Sequence, residues 1–505
     1  LDNKIYDVVI VGSGLGGLAS AIILAKEGLS VCVLEKNNQF GGNLQTFSRN
    51  KTVFDTGVHY LGGLEKGQNL YRYFDYLGIV DQLRLKRMDT DGYDSVTFGM
   101  DKTVYPHAQG YDNFVKQLLP YFPEEETALQ QYVKDLQATC AMFPLYHIST
   151  DHQYDVEILG VNAKAYFEQL TSDVKLRAVL AGTSLLYAGD GDKTPFYVHA
   201  LSVNSYIQSA YRCINGGSQI TKLLLRELRK WDGEAFRKTE IVDFEIVDSK
   251  IVSVVSKDGH HIQGRRFISN IDPKMTLQMI GREHFRKAYY SRVQELQVTT
   301  SSFSIFLVLE KEAIPYRNNN LYYSDTYDQV WSTDSHAGKS WPANYMLSMG
   351  VSTEDQVYAD SITCITFMDY EEVKQWEDTY NTVLTEGDRE DTYQQFKQEK
   401  IDRFIDKVEE QYPGLRSAIR YAYASTPLSY RDYIGVTRGN LYGHVKDSNH
   451  PLKHFIAPKS KIENLFFTGQ GVNMHGILGV TIGAAITCSE MLGADYLIHK
   501  IGKHA

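Results

Sequence analysis

The chain opens with an apolar run, Tyr6 to Val11, that passes into the glycine-rich GSGLGG (Gly12 to Gly17) and then into alanines and leucines at helical spacing. A short unbroken apolar run, a glycine turn and a helical period together predict a buried strand, a tight turn and a helix. Gly28 closes the helix, Leu29 to Leu34 reads as a second buried strand, and Glu35 ends it. Further on, NGGSQ (Asn215 to Gln219) opens an amphipathic helix with Ile220, Leu223, Leu224 and Leu228 on one face, stopped by Gly233. Ala235 to Val247, Lys250 to Lys257 and Arg266 to Ser269 read as strands joined by turns at Asp248-Ser249 and Asp258-Gly259. Near the end, NLFFTGQ (Asn464 to Gln470) predicts one more buried strand, followed from HGILGV (His475 to Val480) by a small-residue helix reaching Leu492.

Between these pieces lie a mostly helical segment from about Tyr111 to Tyr211 and a mixed segment from about Ser301 to Phe455. In the latter, Ser302 to Leu309 and Ser361 to Phe367 read as strands, while Phe396, Phe404, Ile405, Val408 and Tyr412 mark a helix stopped at Pro413-Gly414. The expected fold class is α/β: a discontinuous Rossmann-type dinucleotide-binding domain with a mixed α+β substrate domain. The boundaries expected are 1–90, 212–290 and 456–505 for the cofactor domain, and 91–211 and 291–455 for the substrate domain, with its helical part at 111–211. At 505 residues the chain exceeds what one core usually supports, which fits two joined domains.

The glycine turn carries the first chemistry. Strand, GxGxxG, helix, second strand and a terminal acid about 20 residues on form a dinucleotide fingerprint, with Gly17 allowing close helix packing and Glu35 placed for a ribose. Glu35 is followed by Lys36 and then by a second glycine pair, Gly41 and Gly42. This LEKNNQFGG pattern resembles flavin-binding oxidoreductases that include amine oxidases and carotenoid desaturases, and the resemblance implies FAD in preference to NAD. The net charge of −10, without a basic block, argues against nucleic acid as a partner. Five scattered cysteines form no CxxC pair, which argues against dithiol chemistry and a thiolate metal site, and no metal site is expected. No apolar stretch reaches the roughly 20 residues that cross a bilayer. The expected location is cytoplasmic, peripheral on a membrane.

Four further motifs, in order along the chain, sharpen the resemblance: FDTGVHYLGG (Phe54 to Gly63), TPFYVHALSVNSYI (Thr194 to Ile207), STPLSYRDYIGVTRGNLYG (Ser425 to Gly443) and LFFTGQGVNMHGILGV (Leu465 to Val480). They resemble the retinol saturase, phytoene desaturase and carotenoid isomerase family. That resemblance implies that Gly12, Ser13, Gly14 and Gly17 hold a pyrophosphate, that Glu35 with Lys36 holds the adenosine ribose, and that Gly42 and Asn43 lie along the ribityl chain. It places Val242 at the adenine, Gly469 and Gln470 at the second flavin motif, and Gly479 with Val480 at the helix end facing the flavin. Two positions depart from the family: Asn43 and Asn215 stand where many relatives carry basic residues.

The same resemblance implies an FAD-dependent oxidoreductase acting on carbon–carbon double bonds of a polyene or isoprenoid lipid, with an external electron donor or acceptor. The alternatives are a redox-neutral carotenoid isomerase and an FAD amine oxidase. His59 and His475 are the candidate proton donors or orienters, and Tyr60, Tyr430, Tyr433 and Tyr442 the candidate pocket walls. A lipid substrate raises one more pair of alternatives: Phe143, Leu145 and Tyr146, or Leu185, Leu186 and Tyr187, form an exposed apolar entrance that docks on a membrane, or each cluster packs the interior of the substrate domain.

Overall fold

In a computed structural model, residues 4–149, 156–334, 341–384 and 389–504 are described. The first strand, Ile5–Val11, sits at the centre of a parallel sheet. Its neighbours are Val31–Leu34 and then Glu234–Phe236 on one side, and His261–Ser269 and then Leu465–Phe467 on the other. Val8, Val9, Ile10 and Val11 are all buried, as are all four residues of Val31–Leu34. Both faces of this sheet are covered, which explains why these strands read as unbroken apolar runs without alternation. The helix Leu15–Ala25 is buried along its entire length, between the sheet and the helices Ser218–Lys230 and Gly476–Leu492.

One expected strand resolves into two. Ala235 to Val247 reads as a single run, but Glu234–Phe236 pairs with Val31–Leu34, whereas Ile241–Val247 pairs with Lys250–Ser256 in an antiparallel meander. The polar run Arg237, Lys238, Thr239 and Glu240 separates them. Lys238 enters the left-handed region at φ +58°, and the Thr239 amide donates to the carbonyl of Glu35 at 2.8 Å. Within the meander, Asp248 and Ser249 both have positive φ, 48° and 65°, as a tight two-residue hairpin turn demands.

A second sheet of seven strands runs in the order Ile419–Ser425, Ser301–Leu309, Ser361–Met368, Asn344–Met349, Asn320–Ser324, Asp94–Phe98 and Asp101–His107. Its strands send successive side chains to opposite faces, as the two-residue period of a strand requires. Phe303, Ile305, Leu307, Leu347 and Cys364 face the helix Glu390–Glu409 in one core. Met346 and Ile365 point the other way, into the cavity shared with the first sheet. Among the described residues, segment 111–211 supplies five α-helices: Tyr111–Leu118, Glu126–Ala141, Ala163–Leu170, Val174–Ala181 and Phe196–Gln208.

The two expected membrane-docking clusters are not surface patches. Tyr146, Leu185 and Tyr187 are buried, and Phe143, Leu145 and Leu186 pack against the same core. Leu185 and Leu186 belong to the wall of the central cavity, so the apolar side chains are spent on the interior. No helix among the described residues is long and apolar enough to cross a membrane.

Candidate active site

The turn from Val11 to Leu15 lies at the carboxyl edge of the parallel strands, the edge at which open α/β sheets bind ligands. Gly12 has φ +98°, a conformation that side chains disfavour. A Cβ on Gly14 would lie 3.0 Å from Nδ2 of Asn270, and one on Gly16 would lie 3.0 Å from the backbone of Gly469. The helix that follows has no side-chain cap. Its first amide N–H groups and the positive end of its dipole are therefore available to an anion.

Glu35, only 5% exposed, is held against this turn. Its Oε2 accepts from the Ser13 amide at 3.2 Å and from the Ser13 hydroxyl at 2.5 Å, and its Oε1 accepts from the Asn37 amide at 2.8 Å. The Gly41 amide donates to Ser13 Oγ at 3.1 Å, which ties the second glycine pair to the first. Gly41 has φ +114°, and a side chain there would collide with the Thr221 hydroxyl. Asn43 Nδ2 donates to Gln470 Oε1 at 3.2 Å, so the first and last pieces of the chain meet. Lys36 reaches the carbonyl of Asp432 at 3.0 Å.

A cavity of about 320 Å³ extends from this turn to the second sheet. Gly12, Ser13, Gly14, Glu35, Lys36, Gly42, Asn43, Gly469, Gln470 and Val480 line it, as do His59, His475, Tyr60, Tyr430, Tyr433 and Tyr442. Three of the expected cofactor residues lie outside its wall. Gly17 and Gly479 serve packing: a Cβ on Gly17 would strike the Gly12 carbonyl, and one on Gly479 would lie 2.9 Å from Met474 Cβ. Val242 is 44% exposed, and Thr239, Glu240 and Ile241 line the cavity in its place. Ile241 and Val242 are adjacent on a strand, so one faces in and the other out.

The titratable groups at the second-sheet end are shaped by burial. His59 is pushed down to about 4 by burial, with the Arg212 guanidinium adding to the effect. His475 is pushed down to about 3 by burial, with Lys446 adding to it. Both imidazoles are therefore neutral at pH 7. Tyr60 donates to Asp94 Oδ2 at 2.9 Å and shares a 2.8 Å hydrogen bond with the Tyr322 hydroxyl. Asp94 is 1% exposed, and burial lifts its carboxyl to about 7 despite hydrogen bonds from Asn320 and Tyr60. The rings of Tyr442 and His475 touch, with centroids 4.7 Å apart at 42°.

Asp94 gives a pH-dependent prediction. Its folded pKa lies above its unfolded value, so between about 4 and 7 the folded state binds more protons. Its contribution is fully present below the unfolded pKa and is lost as pH rises through the folded one. Asp94→Asn mimics the protonated form. We expect its unfolding free energy, measured by urea titration, to gain on the wild type from pH 5 to pH 8 by a difference on the order of 3 kcal/mol at most. A constant difference across that range would refute the raised value.

Sequence reading missed Asn270, which follows the strand His261–Ser269 directly. Its Nδ2 donates to the Gly12 carbonyl at 3.2 Å, its side chain lies against Gly14, Gly16 and Gly469, and its buried Oδ1 has no protein partner. The signal that could have found it is a polar residue at the carboxyl end of a buried strand. Asp94 and Tyr322 give no such signal, because only the second sheet brings them to Tyr60.

The parallel sheet, the glycine turn with its acid, and the cavity running to a second sheet define a dinucleotide-binding domain that shares one cavity with a second sheet. Residues 10–77 match the NAD(P)-binding Rossmann-like domain. Along nearly its whole length the chain is a homologue of the all-trans-retinol 13,14-reductase of Danio rerio, 26% identical over 96% of this chain and 86% of the relative. It is similar also to the chloroplastic prolycopene isomerase of Arabidopsis thaliana, 22% identical over 99% of this chain and 84% of that one. The fold is shared with putrescine oxidase, at a TM-score of 0.63 and 15% identity, covering 97% of this chain and 99% of the solved one.

Proposed function

We propose that the cavity holds FAD without a covalent link, and that the protein adds or removes hydrogen at carbon–carbon double bonds of a polyene or isoprenoid lipid. The observation that carries this reading is the continuous cavity that begins at the glycine turn and ends among Met346 and Ile365 of the second sheet and the tyrosines Tyr60, Tyr206, Tyr430 and Tyr442. Similarity to retinol reductases and to a carotenoid isomerase over almost the whole chain supports it. In this reading 1–90, 212–290 and 456–505 form the cofactor part, and 91–211 and 291–455 the substrate part.

The residues fit the cofactor. Gly12, Ser13 and Gly14 with the uncapped helix would hold the pyrophosphate, Glu35 the ribose, Gly42, Asn43 and Gln470 the ribityl hydroxyls, and Val480 the flavin edge. When bound, FAD supplies the hydride or electrons. Gln470 hydrogen-bonds hydroxyls without adding charge. Met346, Ile365, Leu185 and Leu186 exclude water around an apolar chain, and Tyr60, Tyr430, Tyr433 and Tyr442 orient it. Neutral His59 and His475 are poor proton donors at pH 7, so in this reading they orient substrate or cofactor by hydrogen bonding. The buried Asp94 behind the Tyr60 hydroxyl is the acid best placed to release a proton near neutrality.

The test has two stages. Denaturing the purified protein should release one flavin per chain into the supernatant; a protein without flavin that also fails to take up added FAD would refute the reading. Anaerobic incubation with a chemical reductant and a panel of polyenes should then bleach or shift a polyene absorption band. Bleaching indicates saturation, and a shift without net consumption of reductant indicates isomerisation. Turnover of amines with no effect on any polyene would overturn the substrate class.

A further inference from the structure

A second cavity of about 580 Å³ adjoins the first and shares Val298, Tyr442, His444 and His475 with it. Its wall contains Lys446, a partly buried ammonium that has one hydrogen-bond acceptor, the His444 carbonyl at 3.0 Å, and no carboxylate partner among the described residues. Burial lowers the ammonium to about 8. Even partial burial of a cation without a counter-charge costs folding energy, which an anionic ligand would offset.

The neighbours reinforce this. His444 is 2% exposed, and its Nδ1 is buried without a partner. Lys274 lines the same cavity and donates to the Leu296 carbonyl at 2.6 Å, and the nearly buried Asp272 carboxylate faces both it and His444, which leaves Lys446 as the cation without a carboxylate beside it. Three acids share the wall: Asp190 faces Lys193 at 3.7 Å, Asp369 faces Arg438 at 3.6 Å, and Asp334 is the third. None of them pairs with Lys446.

We propose that this second cavity binds an anionic group, a carboxylate or phosphate, on Lys446 with Lys274 and the His444 ring beside it. The shared wall of Tyr442 and His475 lets one molecule place an apolar chain in the first cavity and an anionic end in the second. An acidic polyene therefore fits better than its alcohol. A phosphate of a reduced nicotinamide donor has the same chemistry and is the other source. The identity of the attached chain rests on the polyene reading; the anion site does not.

The experiment uses the flavin-loaded full chain and reads binding by quenching of intrinsic fluorescence. The probes are a polyene carboxylate, the corresponding alcohol, and NADPH, against the wild type, Lys446→Met and Lys446→Arg, with the thermal midpoint and flavin content of each variant as folding controls. The carboxylate should bind at least tenfold more tightly than the alcohol. That advantage should vanish in Lys446→Met, while Lys446→Arg keeps most of it and alcohol binding stays unchanged. If instead NADPH affinity is what Lys446→Met removes, the anion site stands and its ligand is the donor phosphate. If the substitution alters neither, the site is refuted, and alcohol binding in the same titration reports separately on the polyene reading.

Discussion

Gly14→Val should yield a folded protein stripped of its flavin. The backbone at Gly14 has φ −60°, so valine is not excluded by conformation. Space is what excludes it: a Cβ already sits 3.0 Å from Asn270 Nδ2, and two further methyl groups would occupy the approach to the first amides of the uncapped helix. A pyrophosphate bound there depends on close contact with bare backbone. We expect flavin content below about a tenth of wild type, which requires a loss of at least roughly 1.7 kcal/mol in binding when the site is near half-saturated. Absorbance of the purified variant near the flavin bands checks this, with the far-ultraviolet circular dichroism as the folding control. Wild-type flavin content in a folded Gly14→Val protein would remove the assigned role of the turn.

Arg389→Met should destabilise the fold by about 3 kcal/mol, in the range for breaking a buried ion pair. Asp432 is fully buried, and its Oδ2 accepts from the Arg389 guanidinium and from the Asn381 amide at 2.9 Å. Its Oδ1 accepts from Arg431 Nε at 2.7 Å. Arg389 itself is 7% exposed, so water cannot replace it. The damage would reach the cofactor end of the cavity, because the Asp432 carbonyl accepts from Lys36 and the Tyr433 carbonyl accepts from Asn37 at 2.7 Å. A denaturant midpoint checks the stability loss, and a double substitution with Asp432→Asn should recover part of it. An unchanged midpoint would mean that Arg431 alone satisfies the carboxylate.

Local order is legible in the sequence wherever its physical cause is local. The first strand, the glycine turn and the acid after the second strand are fixed by an apolar run, a positive-φ requirement and a sequence distance, and Gly12, Ser13, Gly14 and Glu35 meet at one end of the cavity. The helix Ser218–Lys230 and the strands Ser301–Leu309 and Ser361–Met368 follow from periodicity in the same way. Periodicity does not reveal which strand pairs with which. The run Ala235 to Val247 has one pattern but two partners, and only the crossing of the chain at Lys238 decides between them. Val242 and Ile241 are equally apolar, and the sheet's facing settles which one meets the cavity.

What the sequence determined by itself, then, is the dinucleotide cradle and its kind of chemistry, because a turn that brings bare backbone to a phosphate leaves its glycines and its acid in a short span. Tertiary structure alone decided that Leu185 and Leu186 wall a cavity and do not form a surface patch, since exposure depends on which elements pack over a cluster. It also decided that His59 and His475 are neutral, that Asp94 lies behind Tyr60, and that Lys446 sits in a second cavity without a carboxylate partner among the described residues. Burial sets each of those charges, and burial is a property of the whole assembled chain.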